Sequence, residues 1–385
     1  MIEQRAERLR AHRHLRCDGQ GAVEDVARRG CARLIQREVA RGPAAARNEA
    51  WRATDTPIVA FLDADVEVTP GWLAPLLAHF ADPAVAAIAP RVRARAADGS
   101  TLDRFERHCS PLDMGPLPSI VSPRRRVRYV PSAALLFRRD VLDALGGFDE
   151  DLRLGEDVDL IWRAVAAGWT VRYEPSVVVH HRNRPTWAAL ARQRYGYGTS
   201  AAPLAARHPG YAVPLEIAPW SLAAWLAPVL GGRRGAWAAT SIAARRMRQL
   251  HERLAGRSET SIADCARTVV RSHLVAGRRA ATAVRRTWLP LLVAATASSW
   301  GRKLALAALI VDPLASWATS RPSMGPLRWI LATLYSDAAY CTGVWRGAVA
   351  ARSAAALRPQ LTRVAGTPAA APAGAPESGS QPPPG

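Results

Sequence analysis

Lysine is almost missing from this 385-residue chain: Lys303 stands alone, so nearly all of the 52 basic residues are arginines. In an alanine-rich chain such a bias reflects the base composition of the coding DNA as much as function. Acidic residues are outnumbered, 32 in all, which leaves a formal charge of +20. That charge favours anionic partners, whether nucleic acid, a bilayer surface or a phosphorylated substrate, and selects none of them. Cysteine is sparse too. Cys17, Cys31, Cys109, Cys265 and Cys341 are odd in number, far apart and free of any C-x-x-C pair, which argues against a disulfide framework or zinc ribbon and for a reducing compartment. The opening MIEQRAERLRAHRHLRC has no uninterrupted apolar run, so no signal peptide is read and the catalytic part is expected inside the cell. Clean membrane spans are also lacking. The apolar stretches Ala212–Gly232, Thr287–Trp300, Leu304–Trp317 and Pro326–Ala351 are too short or carry Glu216, Asp312, Asp337 or Arg346, whereas a spanning helix needs about 20 predominantly apolar residues.

What is present is a chain 49% hydrophobic and 22% charged, a balance that fits a folded enzyme rather than a disordered chain or a polytopic channel. At roughly 150 residues per domain it predicts two or three units. Residues 1–37 read as an irregular arginine-rich leader, 38–210 as an α/β domain, 211–365 as a helical, membrane-associated region and 366–385 as a disordered Pro/Gly/Ser tail. Within the α/β domain, Ile58–Leu62, Val85–Pro90, Val127–Phe137 and Val171–His181 read as strands. Gly42–Arg52, Pro70–Phe80, Arg139–Leu145 and Glu156–Ala167 read as helices. Their alternation predicts a doubly wound sheet with ligands where strands end. In the helical region Arg233-Arg234, Arg245-Arg246, Arg278-Arg279 and Arg285-Arg286 are interspersed with Trp220, Trp225, Trp288, Trp300, Trp317, Trp329 and Trp345. This predicts helices lying on an anionic leaflet, against the plainer alternative of a helical subdomain with buried tryptophans and solvated arginines.

Four places carry candidate chemistry. Asp63 and Asp65 follow the Ile58–Leu62 strand, point to one side of an extended loop and can share a divalent cation, Mg²⁺ or Mn²⁺, with substrate phosphates completing the shell. An isolated D-x-D is more often a helix cap; its place after a buried strand shifts the balance towards the site. Glu156 and Asp157 open a helix behind Gly155, where the macrodipole favours anions and a rigid carboxylate can act as a base. His180 and His181 end a strand with their rings on opposite faces, so one of them, His180 as the first choice, is a candidate third metal ligand. Arg47 and Asn48 lie on a small-residue helix just before the Asp63 strand, where an arginine can pair with a phosphate or a local carboxylate.

Residues about 38–185 resemble a family 2 glycosyltransferase of the GT-A fold. The carriers are GPAAARN (Gly42–Asn48), VAFLDAD (Val59–Asp65), GWL (Gly71–Leu73), GGFDE (Gly146–Glu150) and GEDVDLIWR (Gly155–Arg163), in that order and spacing. YVPSAALLFRRD, RYEP and YGTSAAPLAARHPG further resemble the glycosyltransferases of mycofactocin biosynthesis. The resemblance implies a nucleotide-sugar donor, UDP-glucose, and a β-linked glucose chain built on mycofactocin or its precursor, a redox cofactor made from a ribosomal peptide. It implies Asp63 and Asp65 as the metal and diphosphate pair, Asp157 as the base with Glu156 beside it, and Arg47, Asn48 and Asp18 as donor contacts. The family's first apolar strand has no counterpart, and only Cys17-Asp18-Gly19-Gln20 matches the strand end that grips the nucleotide base, so a chain truncated at that edge is expected. The alternatives are a transferase for a lipid or cell-wall glycan and an inactive remnant. A nucleic-acid partner is not expected, because it would leave both acidic sites without a task. The location that follows is the cytoplasmic membrane, with the catalytic domain facing the cytoplasm.

Overall fold

The computed structural model describes residues 33, 35, 39–95, 99–255 and 261–362. Asp18, nearly all of the 1–37 leader and the 366–385 tail lie outside the described residues.

Helix α1 (Pro43–Arg52) starts on a proline, whose missing N–H is harmless in a first turn, behind Gly42 with its φ of 94°. Strand β1 (Ile58–Leu62) ends at the Asp63–Asp65 turn, and the two-residue β2 (Val66–Glu67) follows. Helix α2 (Leu73–Ala78) precedes β3 (Val85–Ala94), and α3 (Thr101–Cys109) is capped by Ser100, whose Oγ accepts from the Asp103 N–H at 3.0 Å. Then come β4 (Ser119–Ile120), β5 (Ala134–Arg138), α4 (Arg139–Leu145), α5 (Glu156–Ala166) and β6 (Thr170–His181). The strands join in the order β1-β5-β3-β6-β2, with β4 also on β6. One edge of β6 is taken by β3. On the other, β4 faces Arg172 and Tyr173 while β2 faces His180 and His181.

The sheet is mixed, which corrects the doubly wound expectation. Among the described strands of this sheet only β3 and β6 run parallel, whereas β1–β5, β3–β5, β2–β6 and β4–β6 are antiparallel. Alternating strands and helices do not reveal direction, least of all for strands of two to five residues. The expected Val85–Pro90 strand continues through Pro90 to Ala94, because the register shifts there. Pro90 faces Glu174 and Arg91 faces Val178, so an irregularity absorbs both Pro90 and Pro175. Of the expected Val127–Phe137 strand only the end from Ala134 is laddered, since Pro131 has no N–H to give, although Val127 and Val130 stay buried. Beneath the sheet lies a core that includes Trp51, Phe61, Phe137, Phe148 and Leu160, with Phe61 and Phe148 edge to face at 5.1 Å.

Past the sheet come α6 (Trp187–Thr199), α7 (Ala201–Arg207), β7 (Glu216–Ile217), α8 (Pro219–Leu254) and α9 (Ile262–Arg286). They are followed by α10 (Leu289–Ala295), α11 (Ser299–Leu306), a π-helical turn at Ala307–Val311, α12 (Asp312–Ser320), α13 (Pro326–Ala350) and β8 (Gln360–Leu361), which pairs in parallel with β7. Helix α8 kinks at Gly232, with φ 54° and ψ −129°. Glycines join α6 to α13: a Cβ on Gly343 would lie 2.0 Å from the Tyr195 carbonyl oxygen, and one on Gly198 2.2 Å from that of Tyr340. Backbone therefore meets backbone at this junction.

Several residues read as leaflet-facing are turned inward. Arg285 is 4% exposed, and its guanidinium donates to Asp337 at 2.7 Å, to Asp312 at 2.8 Å and to the Ala308 carbonyl at 2.6 Å. Trp329 is buried. Trp288, Trp317 and Trp345 donate their indole N–H groups to the carbonyls of Leu357, Met324 and Thr287. An indole with an internal acceptor gains nothing from an interface. Among the described residues, no helix is long and apolar enough to cross a membrane.

Candidate active site

The end of β1 and the start of α5 meet around one arginine. Arg47, carried by α1, donates from Nη2 to Asp63 Oδ1 and from Nη1 to Glu156 Oε1, both at 2.7 Å, with its guanidinium 5.6 Å from the Phe148 ring centre. Residues far apart in sequence, from the D-x-D turn and from the Gly155-Glu156-Asp157 turn, are thus brought to a single cation. Burial alone would lower the Arg47 pKa, but Asp63 and Glu156 outweigh it and raise it. The arginine therefore stays charged at any working pH.

Glu156 is almost fully buried. Burial, then the neighbouring Asp157, pushes its carboxyl up to about 7 against the pull of Arg47. Asp157 is shifted upward as well, chiefly by burial and against the hydrogen bond from the Ser132 N–H. That N–H reaches Asp157 Oδ2 at 3.1 Å, while the Val158 N–H reaches Oδ1 at 2.8 Å. The carboxylate is oriented by backbone donors and is more basic than an exposed aspartate, as a general base requires. Its charge also acts on Tyr129 and Tyr197, whose hydroxyls are pushed up mainly by burial, Tyr197 to about 12.

Asp65, two residues beyond Asp63, has other partners. His181 Nε2 lies 3.1 Å from Asp65 Oδ2 and the Arg184 guanidinium 3.6 Å from it. Although burial works against it, the hydrogen bond and charge of His181 and then the charge of Arg184 hold the Asp65 carboxyl below its usual range. It is His181, not His180, that reaches the D-x-D turn. The two rings do leave β6 on opposite faces, and pairing with Val66 of β2 sets His181 on the side of Asp65. Beside it a small cleft is lined by Glu106, Asn183, Arg184 and Gln193. Among the described residues no three His, Cys, Asp or Glu side chains already converge as a metal cage.

Asn48 is the other correction. It is 1% exposed, its Nδ2 donates to the Phe148 carbonyl at 2.7 Å and to Glu150, and its Oδ1 accepts from the Phe148 N–H at 2.9 Å and from the Trp51 indole. With every polar atom engaged it clasps the GGFDE turn instead of facing a donor. Gly147 must be glycine there: its φ is 76°, and a Cβ would lie 2.5 Å from Asn48 Oδ1. Sequence reasoning missed Arg184, Ser132, Tyr129 and Tyr197. Arg184 had a signal, three residues past the histidine pair on the same strand exit, whereas Ser132 sits in an apolar run with nothing to single it out.

Residues 20–146 match the model of glycosyl transferase family 2, a stretch that holds Arg47, Asp63 and Asp65 and ends before Glu156. The pre-mycofactocin glycosyltransferase of Mycobacterium tuberculosis is 39% identical over 329 residues, 83% of this chain and 70% of that protein. The chain belongs to glycosyltransferase family 2. The succinoglycan biosynthesis protein ExoU of Rhizobium meliloti is 37% identical over 159 residues, 39% of this chain and 46% of its own. A solved mannosyltransferase of Pyrobaculum calidifontis, in complex with GDP-Man and Mn²⁺, aligns over 67% of this chain and 68% of its own at 20% identity, with a TM-score of 0.38.

In this glycosyltransferase the GEDVDLIWR segment divides its work between neighbouring side chains. Glu156 and Asp157 look into the site. Asp159 binds His208 Nε2 and Arg163 Nε, both at 2.8 Å, and Arg163 donates to the carbonyls of Leu145 and Gly147. One motif thus supplies the site carboxylates and also ties the GGFDE turn to the RHPG segment.

Proposed function

We propose that this enzyme transfers glucose from a nucleotide-sugar donor, UDP-glucose, to the mycofactocin precursor with inversion, and repeats the step to build a β-linked chain. The observation that carries the reading is the 39% identity to the pre-mycofactocin glycosyltransferase, which extends over 83% of the chain. Residues 38–210 are taken as the transferase domain and 211–365 as its helical companion. Inversion needs one base, a leaving group in line and no covalent nucleophile. In the proposed step the acceptor hydroxyl oxygen bonds to the anomeric carbon as the bond to the diphosphate breaks, and Asp157 takes the hydroxyl proton. Arg47, charged and poised between Asp63 and Glu156, is available to pair with the donor's diphosphate.

Asp63 and Asp65 would hold Mg²⁺ or Mn²⁺, because two hard carboxylates suit either ion when substrate phosphates complete the shell, and His181 would stay the hydrogen-bond partner that orients Asp65. When bound, such a cation neutralises the charge that develops on the leaving diphosphate. Asp18 keeps its proposed role at the nucleotide on the resemblance alone. The setting we assign is the cytoplasmic face of the membrane, with an anionic lipid surface as partner.

The test is to incubate the protein with UDP-glucose, Mg²⁺ and mycofactocin precursor and to read hexose additions by mass spectrometry, with β-glucosidase digestion for linkage. Serial additions removed by the β-glucosidase are expected. Transfer to a lipid or glycan acceptor instead, or no turnover with any acceptor, would overturn the reading.

A further inference from the structure

We infer that the outer face of α8, α9 and the α10–α12 segment is a docking surface for an anionic bilayer, entered in the plane of the headgroups and not across them. This rests on the membrane setting proposed above and names the surface responsible. The first support is an inverted polarity. The interior of this layer holds the Arg285, Asp312 and Asp337 hub and the contact of Ser221 Oγ with His273 Nδ1 at 2.8 Å. Its outside carries Trp237, 76% exposed, and Leu230, 70% exposed, with Val293, Leu306 and Val311 also in solvent. A layer folded for water alone would place these the other way round.

The second support is the mixture of charge with that apolar surface. On the first half of α9, Arg267, Val270, Arg271 and Leu274 are all exposed and recur three or four residues apart, so they share one face, which further on, from Arg278 paired with Asp312 at 3.4 Å, turns into the charged hub. At the kink of α8, Arg233 and Arg234 stand between Leu230 and Trp237, all four exposed. On α11 the Lys303 ammonium sits 4.4 Å from the Trp300 ring centre, next to exposed Leu304 and Leu306. Cations with apolar neighbours on helices that are not both long and apolar enough to span are what a headgroup boundary accommodates.

The same mixture decides against other occupants. A second copy docked through a two-fold interface would set these arginines against their own kind. A nucleic-acid backbone would satisfy the arginines and leave Trp237, Leu230 and Leu274 without a role. An anionic leaflet meets both needs.

The experiment is sedimentation of the full chain with vesicles of phosphatidylglycerol and phosphatidylcholine, against phosphatidylcholine alone, at low salt. We expect binding to the anionic vesicles, weakened roughly five-fold for each charge removed in R233Q and R234Q, and weakened again in W237S and L274S. Leu117→Ser, an exposed apolar residue of the sheet half, should bind as the parent does. All five positions are exposed, and unchanged thermal midpoints would exclude misfolding as the cause. Failure of the parent chain to bind overturns the membrane setting itself. Undiminished binding by the α8 and α9 variants overturns the assigned surface while the setting stands. Self-association without lipid, abolished by the same substitutions, hands the face to a second copy and also overturns the assignment.

Discussion

The sheet half and the helical half of this glycosyltransferase put charge in opposite places. In the first, the central strands bury Ala86, Ile88, Leu135 and Leu136 completely, and Asp63 at the end of β1 and Glu156 at the start of α5 meet at Arg47. In the second, a charged hub sits at the centre, with Arg285 donating to Asp312 and Asp337, and large apolar side chains face outward. A buried ion pair that merely holds helices together adds little over an apolar replacement, whereas buried carboxylates at a cleft gain basicity. The difference teaches that buried charge can gain basicity at the cleft of one half, where the chemistry is proposed, while it serves assembly in the other.

The sharpest break in that comparison comes from removing one charge on each side. Asp157→Asn keeps an acceptor for one of its two backbone donors, the Ser132 and Val158 N–H groups, so its thermal midpoint should fall only modestly while kcat falls by about 10² to 10⁴. Glu156→Gln, measured alongside, should lose less; a near-normal kcat in Asp157→Asn would move the base to Glu156. Arg285→Ala should do the reverse. Leaving Asp312 and Asp337 with only their longer contacts to Arg278, at 3.4 Å, and Arg286, at 3.8 Å, is expected to destabilise by at most about 3 to 5 kcal/mol, read as a lower denaturant midpoint, with activity retained per folded molecule. Replacing Arg285, Asp312 and Asp337 together by Met and Leu should restore most of that loss. If the triple variant is no more stable than the single, the hub does more than join helices.

A smaller effect tests the seam between the halves. Gly343→Ala drives a methyl into the Tyr195 carbonyl where α6 and α13 cross, so about 1 to 3 kcal/mol of stability should be lost as the helices are forced apart. Gly231→Ala, with nothing within 4 Å of its added Cβ, is the control. Equal midpoints for the two would show that the crossing relaxes freely.

How much of this was legible in the sequence follows from what each residue has to reveal. The β1 strand and the D-x-D turn were plain, because branched residues ending in two acids have few other uses, and the Glu156–Asp157 turn followed from Gly155 at the head of a helix. The choice between His180 and His181 was not legible: alternation separates the rings, but only the pairing with β2 says which face meets Asp65. Asn48 looked like a ligand contact because nothing local shows that Phe148, a hundred residues on, takes up its amide. Arg285 looked solvated because a pair of arginines reads as surface until Asp312 and Asp337 are brought to one of them by tertiary packing.

The smallest effect is a pH dependence whose sign separates the two ends of the site. Glu156 is raised in the folded protein to about 7 from an ordinary 4.5, first by burial and then by Asp157. Folding therefore favours its protonated form, and the stability it contributes is full below about 4.5 and lost as pH rises through about 7. Asp65 is depressed below its ordinary 3.8 by His181 and Arg184, against burial. Its contribution is full above that value and is lost as pH falls through the depressed one. Thermal midpoints taken from about pH 2 to about pH 8 should then fall on the alkaline side in the parent chain and flatten there in Glu156→Gln, because glutamine has no charge to desolvate. Asp65→Asn should leave that alkaline limb in place and remove part of the acid-side loss instead. If Glu156→Gln keeps the full alkaline fall, the pairing with Arg47 holds Glu156 ionised in the folded state, and the carboxyl beside Asp157 is then a fixed anion with no proton to lose.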